Sequence, residues 1–203
     1  MKIGVMGGTF DPIHLGHLAV AGEAHQLLGL SEVRFMPAGH PYFKEAASIS
    51  ASADRVNMVN LAIAGKPYFK VSLLEVKRPG PSYAVDSMAT MKKELGAEDE
   101  LYFIMGWDSL MTLHLWFEAA RLIRICRIVA APRPGYPRPD VSLLEKDLPG
   151  IGNRTVVMDK PLVDISATAI RQRVRQGLPI EGLVPEKVAN YIKEKKLYLN
   201  PQR

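Results

Sequence analysis

The sequence contains very little cysteine. Among its 203 residues only Cys126 carries a thiol, and it stands in the apolar stretch RLIRICRIVAA. A single thiol cannot form an internal disulfide, which excludes the small secreted domains that depend on disulfide bonds. We interpret Cys126 as a buried apolar side chain and expect the protein in a reducing cytoplasm.

The sequence also lacks a long uninterrupted apolar run. Its most apolar stretch, residues 101–123, contains Asp108, His114, Glu118 and Arg121, so it does not predict a membrane span. The N-terminus carries one lysine and then a glycine-rich segment within a few residues, which is unlike a signal peptide. We therefore expect no membrane association.

Charge of one sign does not dominate the chain. It has 26 Lys and Arg residues against 21 Asp and Glu residues, a net charge of +5. This excess fits an anionic small molecule as well as a nucleic acid, and ordinary surface charge explains it equally. Composition leaves the oligomeric state open, a homo-oligomer included.

Apolar periodicity predicts strands that alternate with helices. The predicted strands are KIGVM (2–6), EVRFMPA (32–38), FKVSLLEV (69–76), ELYFIMG (100–106), ICRIVAA (125–131) and RTVVM (154–158). The first predicted helix begins at residue 15. The others cover residues 52–64, 83–95, 109–122 in one or two pieces, 166–176 and 185–195. This alternation predicts an α/β fold, a Rossmann-like doubly wound and mostly parallel sheet with helices on both faces.

We expect one domain over residues 1–203, with a small helical portion from about 164 to 203. The segment APRPGYPRPD, residues 131–140, is rich in proline and contains a glycine, which predicts a loop. Loops of this length in compact domains are often functional. In the helix at 52–64, the spacing of Val56, Val59, Asn60 and Ile63 predicts that these residues share one face.

The most informative segment is GGTFDPIHLGH, residues 7–17, at the turn from the first strand into the first helix. Gly7 and Gly8 allow a sharp turn and a close approach of the backbone to a ligand. His14 and His17 are three residues apart at a helix start, where both side chains and the free N–H groups can face one anion. The segment favours binding of a polyphosphate.

Spacing alone leaves other interpretations of this segment open. A dinucleotide site is disfavoured because the pattern G-x-G-x-x-G is absent. His14 and His17 could ligate a metal with Asp11 as a third ligand, which would indicate a metal-dependent phosphohydrolase, although no H-E-x-x-H motif is present. Either histidine could also be purely structural.

Two signatures, in order, carry a resemblance to a known superfamily. GGTFDPIHLGH resembles the (H/T)-x-G-H signature of the nucleotidyltransferases, and ISATAIR (165–171) is similar to the I-S-x-T-x-I-R motif of bacterial nicotinate-nucleotide adenylyltransferases. The pantetheine-phosphate adenylyltransferases of that superfamily carry an S-S-S-x-V-R version instead. Further matches make the resemblance cover essentially the whole chain: RPGPSYAVDSM (78–88), GWDSL (106–110) with Trp116, and VPEKVANYIKEKKLY (184–198).

The second signature also has a physical interpretation of its own. Ser166 suits the N-cap of the following helix. Thr168 and Arg171, three residues apart, place a hydroxyl and a fixed cation on one face, where they can hold the outer phosphates of a triphosphate. Spacing alone slightly favours the alternative that Arg171 is solvated, like Arg173 and Arg175; the pairing with the first signature reverses that preference.

The resemblance implies adenylyl transfer from ATP to nicotinate mononucleotide, which gives deamido-NAD and pyrophosphate and is a step of NAD biosynthesis. The attacking phosphate is already ionised at neutral pH, since its second pKa is about 6. The enzyme then supplies positioning and charge stabilisation. Mg²⁺ is expected as the cofactor, held mainly by ATP phosphates and water rather than by a dedicated protein site.

The resemblance also implies roles for individual residues. The implied catalytic residues, which face the reacting phosphates, are His14, His17, Lys44 and Arg171. The implied ATP-binding residues are Gly7, Gly8, Thr9, Phe10, Gly106, Asp108, Ile165, Ser166 and Thr168. The implied mononucleotide-binding residues are Tyr83, Ala84, Trp116, Phe117 and Arg133. Without the resemblance, Asp108 could simply cap a helix, Trp116 would be interpreted as core and Arg133 as a solvated loop residue.

Three positions depart from the family pattern. Phe43 stands where the family often has His, Ala84 where many members have Thr, and Trp107 where many have Ala. All three concern substrate contacts, including selectivity for the acid over the amide. The alternatives that stay open are the phosphohydrolase, which gives ISATAIR no role, a regulator that binds nucleotides without activity, and an adenylyltransferase for nicotinamide mononucleotide or phosphopantetheine.

Overall fold

A parallel sheet of six strands forms the centre of the protein. The computed structural model describes residues 1–40, 49–96 and 98–199. The strand order is β3-β2-β1-β4-β5-β6, and every neighbouring pair is parallel. The strands are β1 (Lys2–Gly8), β2 (Glu32–Pro37), β3 (Phe69–Val71), β4 (Glu100–Gly106), β5 (Arg127–Ala131) and β6 (Thr155–Val157).

Helices cover both faces of this sheet, because its central strands carry buried apolar side chains on both sides. They are α1 (Leu15–Leu28), α2 (Ser52–Ile63), α3 (Leu74–Lys77), α4 (Ala84–Lys93), α5 (Trp107–Met111), α6 (Ala119–Ile125), α7 (Ala167–Arg175) and α8 (Glu186–Glu194). Short 3₁₀ turns lie at Leu113–Leu115, Val141–Leu144 and Gly152–Arg154. The predicted fold class, a Rossmann-like doubly wound sheet, is confirmed.

Two apolar clusters, one on each face, hold the layers together. In β4, Leu101, Phe103 and Met105 point into the cluster with α4, α5 and α6, while Tyr102 and Ile104 point into the other. That second cluster also takes buried side chains from α1, α2, α7 and α8. The helical portion after residue 164 therefore packs on the same face of the sheet as α1 and α2.

The segment FKVSLLEV was predicted as one strand, and this is correct only for Phe69–Val71. The partner strand β2 ends at Pro37, which has no N–H to continue the ladder. The chain instead turns into the short helix α3, which buries Glu75.

The predicted helix at 109–122 is also divided, and it begins earlier than expected. Helix α5 starts at Trp107, the chain then makes a 3₁₀ turn, and α6 starts only at Ala119. Between the two helices Trp116 is extended and Glu118 has a φ of 49° in the left-handed region. This break exposes the segment of Trp116 and Phe117 at the sheet edge described below.

The predicted face of α2 is partly wrong. Asn60 is exposed, and the buried positions are Arg55, Met58, Val59, Ala62 and Ile63. An arginine thus occupies a core-facing position of this helix. Within the described part of the chain, no helix is long and apolar enough to cross a bilayer.

Candidate active site

A cavity of about 960 Å³ opens at the carboxyl ends of β1, β4 and β5. The connections from the sheet reverse direction between β1 and β4, and such a switch point is where doubly wound sheets bind ligands. Lys44 lies outside the described residues; every other site residue predicted from the sequence lines this cavity. The two signatures therefore meet although about 150 residues separate them in the chain.

The two histidines lie against each other at the start of α1. Their rings stack with centroids 3.7 Å apart and planes inclined by 26°. The backbone N–H of His14 donates to Nδ1 of His17 at 3.2 Å, so a neutral His17 carries its proton on Nε2. The edge of the Phe10 ring packs on His17, with centroids 5.1 Å apart. The orientation of this pair is fixed before any ligand binds.

His14 is neutral at physiological pH. Burial lowers its pKa to about 4, and the positive charge of Arg133 adds to the effect. Its Nδ1 atom is buried and has no hydrogen-bond partner within the described residues. Because this atom is itself buried and lies against Gly16, it is not the atom that a ligand in the cavity would contact.

The glycine between the histidines packs closely on the ring of His14. A Cβ at position 16 would lie 3.1 Å from Nδ1 of His14, a tight contact, and 3.6 Å from Val163, an ordinary one. A side chain at Gly16 would therefore require the His14 ring to shift by a few tenths of an ångström.

The second signature contributes its cap and its cation as predicted. The hydroxyl of Ser166 accepts a hydrogen bond from the N–H of Ala169 at 3.2 Å, so Ser166 is the N-cap of α7. Arg171 donates through Nη2 to the Thr168 hydroxyl at 3.4 Å and through Nη1 to the carbonyl of Asp11 at 2.8 Å. The arginine of one signature thus binds the loop of the other directly.

Gly106 and Asp108 form the cavity wall at the end of β4. Gly106 is the N-cap residue of α5 and Asp108 lies in its first turn, so Asp108 does not cap the helix. A Cβ at Gly106 would lie 2.5 Å from Oδ1 of Asp108, so a side chain there would require the Asp108 carboxylate to move. The other oxygen of Asp108 accepts a hydrogen bond from Arg133 at 2.6 Å. Trp107, one of the three departures from the family pattern, is buried in the apolar cluster around α5 and does not line the cavity.

Aromatic rings line the other end of the cavity. Tyr83 and Phe117 pack with centroids 4.5 Å apart, and the edge of Phe103 meets Trp116 at 6.1 Å. Phe117 keeps 53% of its surface exposed. Ala84 is the first residue of α4, whose free N–H groups face the region beside Tyr83.

A carboxyl group that the sequence analysis missed lies at this aromatic end. Glu75 is buried, and its Oε1 accepts a hydrogen bond from the Ser87 hydroxyl at 2.7 Å. Burial raises the pKa of Glu75, while hydrogen bonds from Ser87 and Ser82 act against the rise. Close packing of Gly39 fixes this corner, because a Cβ there would lie 2.1 Å from the carbonyl oxygen of Glu75.

The metal alternative is weakened by the contacts of Asp11. Its carboxylate accepts hydrogen bonds from the N–H of Ser50 at 3.2 Å and the hydroxyl of Tyr198 at 2.7 Å. In residues 1–40, 49–96 and 98–199, no group of three or more His, Cys, Asp and Glu side chains could hold a metal ion.

Comparison with known proteins shows the family of the chain. Residues 5–173 match the model of the cytidylyltransferase-like family, and the chain belongs to that family. A curated probable nicotinate-nucleotide adenylyltransferase of Dehalococcoides mccartyi (strain CBDB1) is 50% identical over 98% of this chain and 97% of its own. One of Herpetosiphon aurantiacus is 41% identical over 98% of both chains. The resemblance to nicotinate-nucleotide adenylyltransferases drawn from the motifs is confirmed.

The fold is also shared with solved structures. Plasmodium falciparum nicotinic acid mononucleotide adenylyltransferase complexed with NaAD superposes with a TM-score of 0.79 at 22% identity, covering 97% of both chains. The same enzyme complexed with APC gives a TM-score of 0.77, covering 97% of this chain and 96% of that one.

Proposed function

We propose that this chain transfers the adenylyl group of ATP to nicotinate mononucleotide and releases deamido-NAD and pyrophosphate. The observation that carries the proposal is the hydrogen bond from Arg171 to the carbonyl of Asp11, which joins both phosphate-binding signatures in one cavity. The names of relatives 40–50% identical over nearly the full chain support the choice of substrate.

In the proposed reaction, an oxygen of the mononucleotide phosphate attacks the α-phosphorus of ATP. A new P–O bond forms, and the bond from the α-phosphorus to the bridging oxygen of pyrophosphate breaks. Negative charge grows on the phosphate oxygens as this occurs. His14, His17, Arg171 and Lys44 are the donors and cations proposed to stabilise it. His14 acts as a neutral hydrogen-bond donor, because its lowered pKa keeps it uncharged.

The two ends of the cavity suit different substrates. We assign ATP to Gly7 and Gly8, to Thr9 and Phe10, to Gly106 and Asp108, and to Ile165, Ser166 and Thr168. Asp108 would accept hydrogen bonds from ribose hydroxyls. We assign the mononucleotide to Tyr83, Ala84, Trp116, Phe117 and Arg133, with Trp116 stacking on the pyridine ring and the free N–H groups at the start of α4 meeting its carboxylate.

We propose Mg²⁺ as the divalent metal, carried by the ATP phosphates, whose charge it would screen during transfer. The whole chain is proposed to act as one catalytic domain, since α7 and α8 share an apolar cluster with α1 and α2. Its proposed place is the cytoplasm, in keeping with a lone buried thiol at Cys126.

A product assay tests the proposal. The purified protein is given ATP and Mg²⁺ with nicotinate mononucleotide, nicotinamide mononucleotide or phosphopantetheine in separate reactions, and products are identified by mass. We expect deamido-NAD to form much faster than NAD. Equal rates with acid and amide would overturn the proposed selectivity, and ATP breakdown without an acceptor would replace adenylyl transfer by the phosphohydrolase.

A further inference from the structure

A buried arginine supports the loop that carries the first signature. Arg55 of α2 is only 2% exposed and lies behind the cavity wall. Its Nη1 donates to the carbonyl of Thr9 at 2.9 Å, and its Nε donates to the carbonyl of Ser50 at 3.0 Å. A buried cation is costly unless it is paired, and the nearby carboxylate of Asp11 supplies the opposite charge.

A tyrosine far along the chain completes this network. Tyr198 donates its hydroxyl proton to Oδ1 of Asp11 at 2.7 Å, across 187 residues of sequence. Burial and the charge of Asp11 raise the pKa of Tyr198, so its hydroxyl stays protonated and can only donate to that carboxylate. Lys196 and Tyr198 have φ values of 52° and 67°, left-handed conformations that non-glycine residues adopt only when the surroundings enforce them.

These contacts determine which way the peptide groups of the loop point. In a trans peptide the C=O and N–H groups point in opposite directions. Because the Thr9 carbonyl points at Arg55 behind the wall, the N–H of Phe10 points away from Arg55. Arg171 holds the carbonyl of Asp11 in the same way from α7. The loop is thus clamped at both ends, and the φ of 50° at Phe10 is held between the clamps.

We infer that Tyr198 and Arg55 are positioning residues for adenylyl transfer, which rests on the function proposed above. They act through Asp11 and Thr9, and they keep the N–H of Phe10 aimed as a donor to the phosphates in the cavity. Neither residue touches substrate. Loss of either one lowers turnover by loosening the loop, while the pocket for the mononucleotide ring stays intact.

A second tyrosine provides a matched control. Tyr191 of α8 donates to Oδ1 of Asp54 at 2.8 Å, so it too joins the C-terminal helical portion to an aspartate, here one on α2. Neither Tyr191 nor Asp54 lines the cavity, and their hydrogen bond does not involve the first signature. Tyr191→Phe and Tyr198→Phe each remove one hydroxyl from a tyrosine–aspartate hydrogen bond, but only Tyr198→Phe releases the loop.

The test compares the two variants with the wild type. For Tyr198→Phe we expect kcat to fall about tenfold, the effect of one lost charged hydrogen bond, with KM for nicotinate mononucleotide nearly unchanged. Tyr191→Phe should keep the wild-type kcat, with a smaller loss of thermal stability because its partner Asp54 is less buried than Asp11. An equal fall of kcat in both variants, or none in Tyr198→Phe, would overturn the inference.

Hydrogen exchange separates this inference from the proposed reaction. In peptides that cover residues 7–14, Tyr198→Phe should speed amide exchange and Tyr191→Phe should not. This readout needs no acceptor substrate, so it stands even if the wild type makes no deamido-NAD, a result that would count against the proposed function alone. Unchanged exchange in Tyr198→Phe would show that the tyrosine does not hold the loop. Arg55→Lys, which keeps the charge but can reach only one of the two carbonyls, should resemble Tyr198→Phe.

Discussion

Arg133 and Asp108 form an ion pair across the mouth of the cavity, with Nη1 2.6 Å from Oδ2. Each was assigned to a different substrate, Arg133 to the mononucleotide and Asp108 to the ribose of ATP. Here they bind each other. Under the assignment proposed above, ribose hydroxyls that bind Asp108 would compete with Arg133 for the carboxylate, and a displaced guanidinium would be available to the mononucleotide.

This pairing predicts opposite effects at the two substrates. In Arg133→Gln no guanidinium competes with the ribose of ATP for the Asp108 carboxylate, so KM for ATP should stay the same or fall. KM for nicotinate mononucleotide should rise roughly tenfold, because Arg133 is assigned to that substrate. Asp108→Asn should do the reverse and raise KM for ATP. Steady-state kinetics with each substrate varied in turn measures both. A shared rise of both KM values in Arg133→Gln would argue for a structural ion pair only.

The buried state of His14 predicts a pH dependence of stability. The folded protein protonates His14 only near pH 4, whereas the unfolded chain protonates it near pH 6.5. Stability contributed by the neutral ring is therefore complete above pH 6.5 and lost as the pH falls towards 4. Between about pH 7.5 and 4, the wild type should lose ~3 kcal/mol more than His14→Gln, which cannot titrate.

Urea unfolding of both proteins across this range measures the difference. Parallel pH dependence in wild type and variant would show that His14 titrates normally. The same variant reports on catalysis at neutral pH, where His14→Gln should lower kcat by about a hundredfold or more while ATP still binds.

Trp116 predicts an optical signal for the second substrate. The chain has only two tryptophans, and Trp107 is 8% exposed within the apolar cluster around α5. Stacking of a pyridine ring on Trp116 should quench its fluorescence, and Trp107→Phe should keep that quenching. Trp116→Leu should abolish it and weaken mononucleotide binding by about tenfold or more, with ATP binding unaffected. Unchanged mononucleotide affinity in Trp116→Leu would identify Trp116 as a core residue.

Glu75 predicts a change of stability with the opposite sign to that of His14. Its pKa is raised in the fold, so the folded protein holds this proton more tightly than the unfolded chain does. Stability is then lost as the pH rises from the ordinary glutamate range through the raised value. Glu75→Gln keeps an acceptor for Ser87 and stays neutral, so it should gain stability relative to wild type between acidic and neutral pH. Chemical denaturation of both proteins at an acidic and at a neutral pH measures this gain. A stability difference between variant and wild type that is the same at both pH values would contradict the prediction.

Local patterns in the sequence were sufficient for the fold class. Strands such as 100–106 and the amphipathic helices follow short-range apolar periodicity, and glycines mark the turns between them. The errors arose where tertiary partners decide. The segment after Val71 leaves the sheet because Pro37 cannot pair with it, and that proline belongs to another strand.

The site was predictable where its residues form motifs, and not where they form contacts. Both signatures are contiguous, so their residues could be named, although the pairing of Arg133 with Asp108 could not. Arg55 did carry a signal, because it occupies a core-facing position in the series with Met58, Val59 and Ala62. Nothing local marks Tyr198, whose partner is 187 residues away. Glu75 was missed because it was predicted to lie in a strand, whereas it lies in the short helix α3.

The bond between Tyr198 and Asp11 has a consequence for the order of synthesis. A ribosome makes the GGTFDPIHLGH segment almost at once, yet the support of that segment waits for the tyrosine that arrives 187 residues later. A chain that ends before residue 198 would contain all six strands of the sheet, but its phosphate-binding loop would lack the hydrogen bond from Tyr198. If Tyr198 positions the loop as inferred above, competence for turnover arrives as a late event of biosynthesis.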